Sequence, residues 1–161
     1  MTAGYSQHQG KFAAPEAVAV HTLLINMAFG SLLVPSAMVA EVLPIPTVHE
    51  ADSPRPWVFG RINWRGLSVP VISFERIVSN LQMGRDEYAR VVVFHPLPSY
   101  RHDDYFGILT AHDPRSMLVS EDIKACALPE NVSGRYIASA VELRGQVATI
   151  PDIDALATAI Y

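Results

Sequence analysis

The side chains best suited to chemistry are six histidines and a single cysteine. One stretch brings imidazole and carboxylate groups together as a metal site would, namely His102-Asp103-Asp104 with His112-Asp113. Neighbouring residues of a strand face opposite sides, so His102, Asp104 and His112 would have to converge across a hairpin. Because a metal site needs three distinct ligands at set geometry, we interpret this cluster as a solvated loop and predict no metal.

Cys126 lies between Ala125 and Ala127 in an apolar run. A reactive thiol needs a histidine or cation that is placed to stabilise the thiolate, and we identify none for this residue. We therefore predict a buried, inert thiol. A lone cysteine also excludes an internal disulfide and an all-cysteine zinc site.

The motifs that accompany common catalytic chemistry are absent from the sequence. It contains no G-x-S-x-G, no G-x-x-x-x-G-K-[ST], no G-x-G-x-x-G and no H-E-x-x-H. The chain has 12 Lys and Arg against 16 Asp and Glu, which lacks the basic surplus of a nucleic-acid binder. We predict no enzyme, no catalytic residue, no cofactor and no nucleic-acid partner.

The elements that would position these residues are mostly short strands. Half of the 161 residues are apolar and 12 are proline, a composition that disfavours both disorder and long helices. Short β-rich runs separated by turn residues are typical of a sandwich or barrel. The predicted strands are Val20–Met27, Ser31–Val34, Val39–Leu43, Trp57–Trp64, Leu67–Ile72, Ala89–His95, Tyr105–Thr110, Met117–Val119, Ile123–Leu128, Tyr136–Leu143 and Gln146–Ile150.

Helical signals are few. Phe74–Leu81 is predicted as two turns with Ser73 as N-cap, and Asp152–Ile160 as a terminal helix with Asp152 as N-cap. Residues 1–17 are predicted to be a flexible tail. The sequence lacks both a signal peptide and an apolar run of the roughly 18 residues that span a membrane. We expect a cytoplasmic protein without direct membrane insertion.

The chain repeats itself at an offset of 79 residues, where Trp57–Gly66 aligns with Tyr136–Gly145. An aromatic residue opens each copy and Arg-Gly ends it. The offset is close to half the chain, so we predict two related β units that must pack on each other to bury enough surface.

Each Arg-Gly pair is predicted to form the tip of a β-hairpin. Gly66 supplies a positive φ, and Arg65 lies where its guanidinium can reach a carboxylate. The alternative is a solubilising arginine that contributes little. Trp57 and Trp64 share a strand at an odd separation and should face opposite sides. One is expected in the core, and the other either anchors recognition in a groove or is buried as well.

Asn63-Trp64-Arg65-Gly66 followed by Val69-Pro70-Val71-Ile72 resembles the signature of CheW-like domains, an Asn-Leu-Arg-Gly hairpin before a Pro-Val-Ile-Asp strand. Val39–Leu43 is similar to the family's Val-x-Glu-Ile segment, and Phe59-Gly60 to the glycine that precedes its hairpin. With the later elements, the resemblance covers roughly residues 18–160.

The fold that this resemblance implies is mostly β, with two SH3-like five-stranded β-barrels packed together and short helices, including one at the C-terminus. It implies a single domain over residues 18–161 after the tail. The first barrel is expected at about residues 25–85, and the second at about residues 86–161 plus the first strand.

The function that the resemblance implies is a non-catalytic adaptor, located in the cytoplasm beside receptor arrays. It would couple the cytoplasmic tip of a chemoreceptor to the regulatory domain of a CheA-type histidine kinase, with other CheW-like proteins as further partners. Trp64 and Ser73 replace the family's Leu and Asp, and this combination is most similar to members from type IV pilus (twitching motility) systems. The alternative is an SH3-like β-barrel module that binds another protein or a ligand.

Site residues follow from the same resemblance. Glu41 and Arg65 match the family's ion pair beside the receptor groove. The receptor-binding residues carried over are Val39, Glu41, Gly60, Arg65 and Gly66. The kinase-binding residues are expected at an apolar barrel edge formed by Val42, Leu43 and Ile45.

Overall fold

The computed structural model describes residues 18–45, 48–49, 53–79, 87–121 and 123–161. Within these ranges the helices are α1 (Phe74–Val78) and α2 (Ile153–Ile160), with a 3-10 turn at Ser36–Met38. None of the helices in these ranges is long and apolar enough to cross a membrane. The strands are β1 (Val20–Met27), β2 (Gly30–Pro35), β3 (Val39–Pro44), β4 (Val58–Trp64), β5 (Leu67–Ile72), β6 (Arg90–Phe94), β7 (Phe106–Leu109), β8 (Arg115–Val119), β9 (Lys124–Ala125), β10 (Ile137–Leu143) and β11 (Gln146–Pro151).

Each predicted strand overlaps an observed one, and β1 and β5 have the predicted bounds. The largest difference is β9, which has two residues where Ile123–Leu128 was expected. It is an exposed edge strand that pairs only with β10, so little packing extends it. Cys126 lies just beyond it and is half-buried, which corrects the expectation of a buried thiol.

The helices begin where the sequence predicts. The Asp152 carboxylate accepts a hydrogen bond from the Ala155 backbone N–H at 3.0 Å, as an N-cap should. Ser73 precedes α1 but makes no side-chain capping bond. The predicted end of this helix, Leu81, lies outside the described residues.

The strands form two sheets. The first sheet has the order β3-β6-β7-β5-β4, and the second has the order β8-β1-β2-β11-β10-β9. These memberships differ from the predicted barrel boundaries, because β2 joins the second sheet while β6 and β7 join the first. The reason is pairing: β2 stays with β1 as a hairpin, and β6 and β7 fill the space between β3 and β5.

The repeat at offset 79 is present in the backbone. The hairpins β4-β5 and β10-β11 both turn through an Arg-Gly pair at positive φ, with values of 51° and 77° at Arg65 and Gly66 and of 50° and 78° in the second copy. Two-residue turns of this kind match the twist of the strands. Each copy also has a register shift at the start of its first strand, between Val58 and Gly60 and between Ile137 and Ser139. The two halves therefore share one plan.

The buried apolar side chains of the described residues form three cores. The central core lies between the sheets and contains residues of both, together with residues of both helices. The first-sheet core consists of Ile62, Trp64, Val69, Val71, Val91 and Val93. The second-sheet core consists of Leu24, Leu33, Val119, Val141 and Ala148. Along β6 the side chains alternate, since Val91 and Val93 enter the first-sheet core while Val92 and Phe94 enter the central core. This strand is covered on both faces, as its unbroken apolar run predicts.

Candidate functional site

Three side chains meet at the tip of the β4-β5 hairpin. The Glu41 Oε2 atom on β3 accepts a hydrogen bond from Trp64 Nε1 at 2.8 Å and from Arg65 Nη2 at 3.1 Å. The Arg65 guanidinium carbon lies 4.7 Å from the centroid of the Trp64 ring, within the range of a cation–π contact. We call these residues the Glu-Trp-Arg cluster.

Local irregularities in two strands bring the cluster together. The pairing of β3 with β6 shifts between Val39 and Glu41, so that Ala40 is an extra residue in the strand. Such a bulge redirects the side chains that follow it. At the hairpin, the positive φ of Arg65 and Gly66 turns the chain tightly, so Arg65 directly follows the last residue of β4.

The members of the cluster differ greatly in exposure. The Arg65 and Glu41 side chains are 68% and 38% exposed, whereas Trp64 is only 6% exposed. An exposed ion pair contributes about 0–1 kcal/mol, so the predicted Glu41–Arg65 pair is present but adds little to stability. A buried indole N–H needs an acceptor, and Glu41 supplies it. The carboxylate therefore fixes the indole, and the indole supports the exposed guanidinium.

Trp64 was the member that sequence reasoning missed as a hydrogen-bond donor. The signal was available, because tryptophan replaces a leucine of the family pattern and thereby adds an N–H group that must be satisfied. The two tryptophans face opposite sides as predicted: Trp64 enters the first-sheet core, and the half-buried Trp57 packs against the central core.

The other residues predicted to bind a receptor have different surroundings. Gly60 is buried, and a Cβ there would lie 2.5 Å from the His49 carbonyl oxygen. The backbone of His49 pairs with Arg61 through two hydrogen bonds of 2.8 Å, so Gly60 allows this segment to close over β4. Val39 packs against the central core. Glu41, Arg65 and Gly66 are therefore together at the hairpin, whereas Val39 faces the central core and Gly60 lies against His49.

Aromatic residues extend the cluster towards the C-terminus. The Trp64 and Tyr105 ring centroids are 4.8 Å apart, and the Tyr161 hydroxyl donates to the Tyr105 carbonyl oxygen. Tyr161 is 48% exposed, and its partial burial raises its pKa. The Asp104 and Asp103 carboxylates raise this pKa further, and Arg61 opposes them. The phenol thus remains protonated and able to donate at neutral pH.

The three residues expected to bind a kinase lie on or just after β3, an edge strand of the first sheet. Val42 packs against the central core and Leu43 against the first-sheet core, and both are half-buried. Ile45 is 40% exposed. An edge strand leaves backbone groups available for pairing, so this segment has the character of a docking edge.

The histidine and aspartate stretch takes part in loop structure. Asp104 Oδ2 accepts a hydrogen bond from the Arg101 backbone N–H at 3.0 Å, and Asp103 lies 3.4 Å from Arg101 Nε. His102 is exposed. In the part of the chain that the structure describes, no three His, Cys, Asp or Glu side chains are grouped as metal ligands.

Comparisons with known proteins agree with the fold. The family model of the CheW-like domain matches residues 21–160. The crystal structure of the scaffolding protein TtCheW from Thermoanaerobacter tengcongensis is similar, with a TM-score of 0.70 at 13% identity over 92% of this chain and 90% of that one. This likeness confirms the predicted architecture of two packed β-barrels. A search of curated proteins gave no match.

Proposed function

Because the chain belongs to the CheW-like domain family, we propose that it is a non-catalytic coupling adaptor of a chemosensory system. The proposal rests on the family match over residues 21–160 and on a fold similar to that of a scaffolding protein. The observation that links the proposal to particular residues is the Glu-Trp-Arg cluster, which holds the Arg65 guanidinium at an exposed hairpin tip.

The receptor side of the adaptor is proposed at this cluster, with Gly66 forming the turn and with Val39 and Gly60 as further receptor-binding residues. Glu41 and the Trp64 ring fix Arg65 on two sides, which lowers the entropy lost when a partner binds. A guanidinium has five N–H donors, so it can pair with Glu41 and still bind acceptors on the cytoplasmic tip of a receptor.

The kinase side is proposed at Val42, Leu43 and Ile45 on the β3 edge. A regulatory domain with the same double-barrel fold would pack there barrel against barrel, and other CheW-like proteins would bind in the same way. Binding at one side would change affinity at the other through a coupling free energy, so no catalytic residue is needed. Such an adaptor would work in the cytoplasm beside receptor arrays.

A narrower proposal assigns the chain to type IV pilus control. It rests on Trp64, which adds the Glu41 hydrogen bond, and on Ser73, which stands in place of the family's Asp. Trp64 lies directly before the hairpin turn and so would alter which receptor is bound, whereas Ser73 is buried between β5 and α1. The alternative function is a barrel module that binds a protein or ligand in another pathway.

The experiment is affinity capture from a source-cell lysate with identification of the bound proteins. We expect a chemoreceptor and a CheA-type kinase, and we expect Arg65→Glu to lose the receptor while it keeps the kinase. The matched control is Arg135→Glu, since Arg135 is also exposed and its guanidinium carbon lies 5.1 Å from the Tyr136 ring centroid. Recovery of neither protein would refute the adaptor. Unchanged receptor recovery by Arg65→Glu would refute the site.

A further inference from the structure

The second sheet contains a counterpart of the Glu-Trp-Arg cluster, which the strand order identifies. β10 and β11 correspond to β4 and β5 at offset 79. Each further strand in the order of the second sheet corresponds to the strand at the same position in the order of the first sheet. β2 therefore corresponds to β7, β1 to β6 and β8 to β3, and the pairs β5·β7 and β11·β2 are both parallel. The residue that corresponds to Glu41 must lie on β8.

In the first sheet, three successive strand pairings connect Glu41 on β3 to a residue of β5. It is opposite Val93, Val93 is opposite Gly107, and Gly107 is opposite Val71 of β5. The counterpart of Val71 at offset 79 is Ile150 of β11.

In the second sheet, the same path ends at Arg115. Thr149 of β11 is opposite Leu32 of β2, so the parallel register places Ile150 beside Leu33. Leu33 is opposite Leu24 of β1, and Leu24 is opposite Arg115 of β8. Arg115 thus occupies the position of Glu41, and the three residues of the cluster become Arg115, Leu143 and Arg144.

In the second sheet, Arg115 stands in place of Glu41 and Leu143 in place of Trp64. These two differences change both the charge and the hydrogen bonding of the site. Leucine has no donor, so the carboxylate that satisfied the Trp64 indole is not needed beside Leu143. An arginine replaces that carboxylate, so the tip arginine faces a like charge. Arg115 and Arg144 are both exposed, and neither guanidinium has a hydrogen-bond or ion-pair partner among the described residues.

The two arginines line one cleft of about 260 Å³, which we call the arginine cleft. Leu24, Met117 and Val147 contribute apolar walls, and no acidic side chain lines the cleft in the described ranges. Val147 is 39% exposed at its rim. The site is therefore cationic in a chain whose net charge is −4.

We propose that the arginine cleft binds a carboxylate side chain from an acidic segment of a protein partner, which supplies in trans the acid that Glu41 supplies within the first sheet. The planar guanidinium binds carboxylates through paired N–H donors. The apolar walls fit the aliphatic neighbours of such a residue, and the acidic net charge of the chain disfavours a nucleic acid. This surface is separate from Arg65 and goes beyond the proposed receptor and kinase contacts.

The test uses two fluorescein-labelled peptides, Glu-Leu-Glu-Leu-Glu and its matched form Gln-Leu-Gln-Leu-Gln, titrated with the full chain by fluorescence anisotropy at low ionic strength. We expect the acidic peptide to bind and the neutral one not to bind, with affinity that falls as salt is added. Arg115→Gln and Arg144→Gln should each weaken binding about tenfold or more.

Arg115→Glu is the most specific variant. It places a carboxylate where the first sheet has Glu41, so Arg144 becomes paired within the chain and binding of the acidic peptide should be lost. Arg135→Gln is the control that should bind like the unmodified chain, because Arg135 is exposed but does not line the cleft. Arg65 does not line the arginine cleft. A negative result for acidic-peptide binding and a negative result for receptor binding are therefore separate outcomes. Circular dichroism verifies that each variant is folded.

Four results would overturn the proposal. These are equal affinity for the two peptides, no binding of the acidic peptide by the unmodified chain, an equal loss in the Arg135→Gln control, or retained binding in Arg115→Glu. Tighter binding of a phosphoserine version of the acidic peptide would instead assign the cleft to phosphate. Self-association that Arg144→Gln abolishes would assign it to a second copy of the chain.

Discussion

Replacing Trp64 by alanine removes the largest side chain of the first-sheet core and should cost about 3–5 kcal/mol of unfolding free energy. The structure supports this range, because Trp64 is 6% exposed and its ring packs 4.8 Å from that of Tyr105. The variant also removes the N–H donor to Glu41, although that carboxylate is partly exposed and can be hydrated instead. For a domain of this size, each kcal/mol lowers the melting temperature by about 2–4 °C. The expected decrease is therefore about 6–20 °C.

The assays are thermal denaturation for the melting temperature and urea denaturation for the free energy of unfolding. Both are followed by far-ultraviolet circular dichroism, which does not depend on the lost fluorophore. The matched control is Leu143→Ala, because Leu143 occupies the same place in the second hairpin and is only half-buried. It should cost less than the tryptophan variant, about 2 kcal/mol or below. A loss below about 1 kcal/mol for Trp64→Ala would refute the burial of the indole. A loss no larger than that of Leu143→Ala would refute its place in the first-sheet core.

Two further predictions concern a glycine and a tyrosine. Gly60→Ala should destabilise the chain by about 1–3 kcal/mol, because its Cβ would lie 2.5 Å from the His49 carbonyl oxygen. Its control, Gly66→Ala, has open space and should show only the strain of a positive φ, and chemical denaturation compares the two. A Gly60→Ala loss no greater than that of Gly66→Ala would contradict the close approach. The pKa of Tyr161 is raised in the folded chain, so its stabilising contribution is full below the unfolded value near 10 and is lost as pH rises further. Tyr161→Phe should therefore show a weaker fall in stability above about pH 10 than the unmodified chain, and identical pH profiles would contradict the raised pKa of Tyr161.

Local pattern was enough to predict most of the strands. β1 and β5 follow directly from β-rich runs bounded by turns, and the Arg-Gly hairpin follows from the need for a positive φ at Gly66. β9 was overestimated because a run of small residues at an edge has few partners to extend it. Sheet membership could not be predicted in the same way, since the sheet that β2 or β6 joins depends on partners that are distant in sequence.

The candidate site was predicted only in part for a similar reason. Glu41 and Arg65 were paired through the family resemblance, because nothing local connects the two positions. The role of Trp64 depends on one hydrogen bond that only the fold reveals. The equivalence of Glu41 and Arg115 is hidden from the repeat, because β8 does not follow β3 at the offset of the hairpins. It becomes visible only when pairing is traced across both sheets.

The order of the strands along the chain also determines which strands can pair first during synthesis. Strands β3 to β7, from Val39 to Leu109, form a contiguous sheet that can pair as soon as this stretch has left the ribosome. The hairpin of β1 and β2 emerges earlier, but its partners β8 and β11 emerge only after that sheet is complete. Until then, its apolar edges are unpaired and prone to association with other chains. The β1-β2 hairpin is thus the segment that most needs protection while the protein is being made.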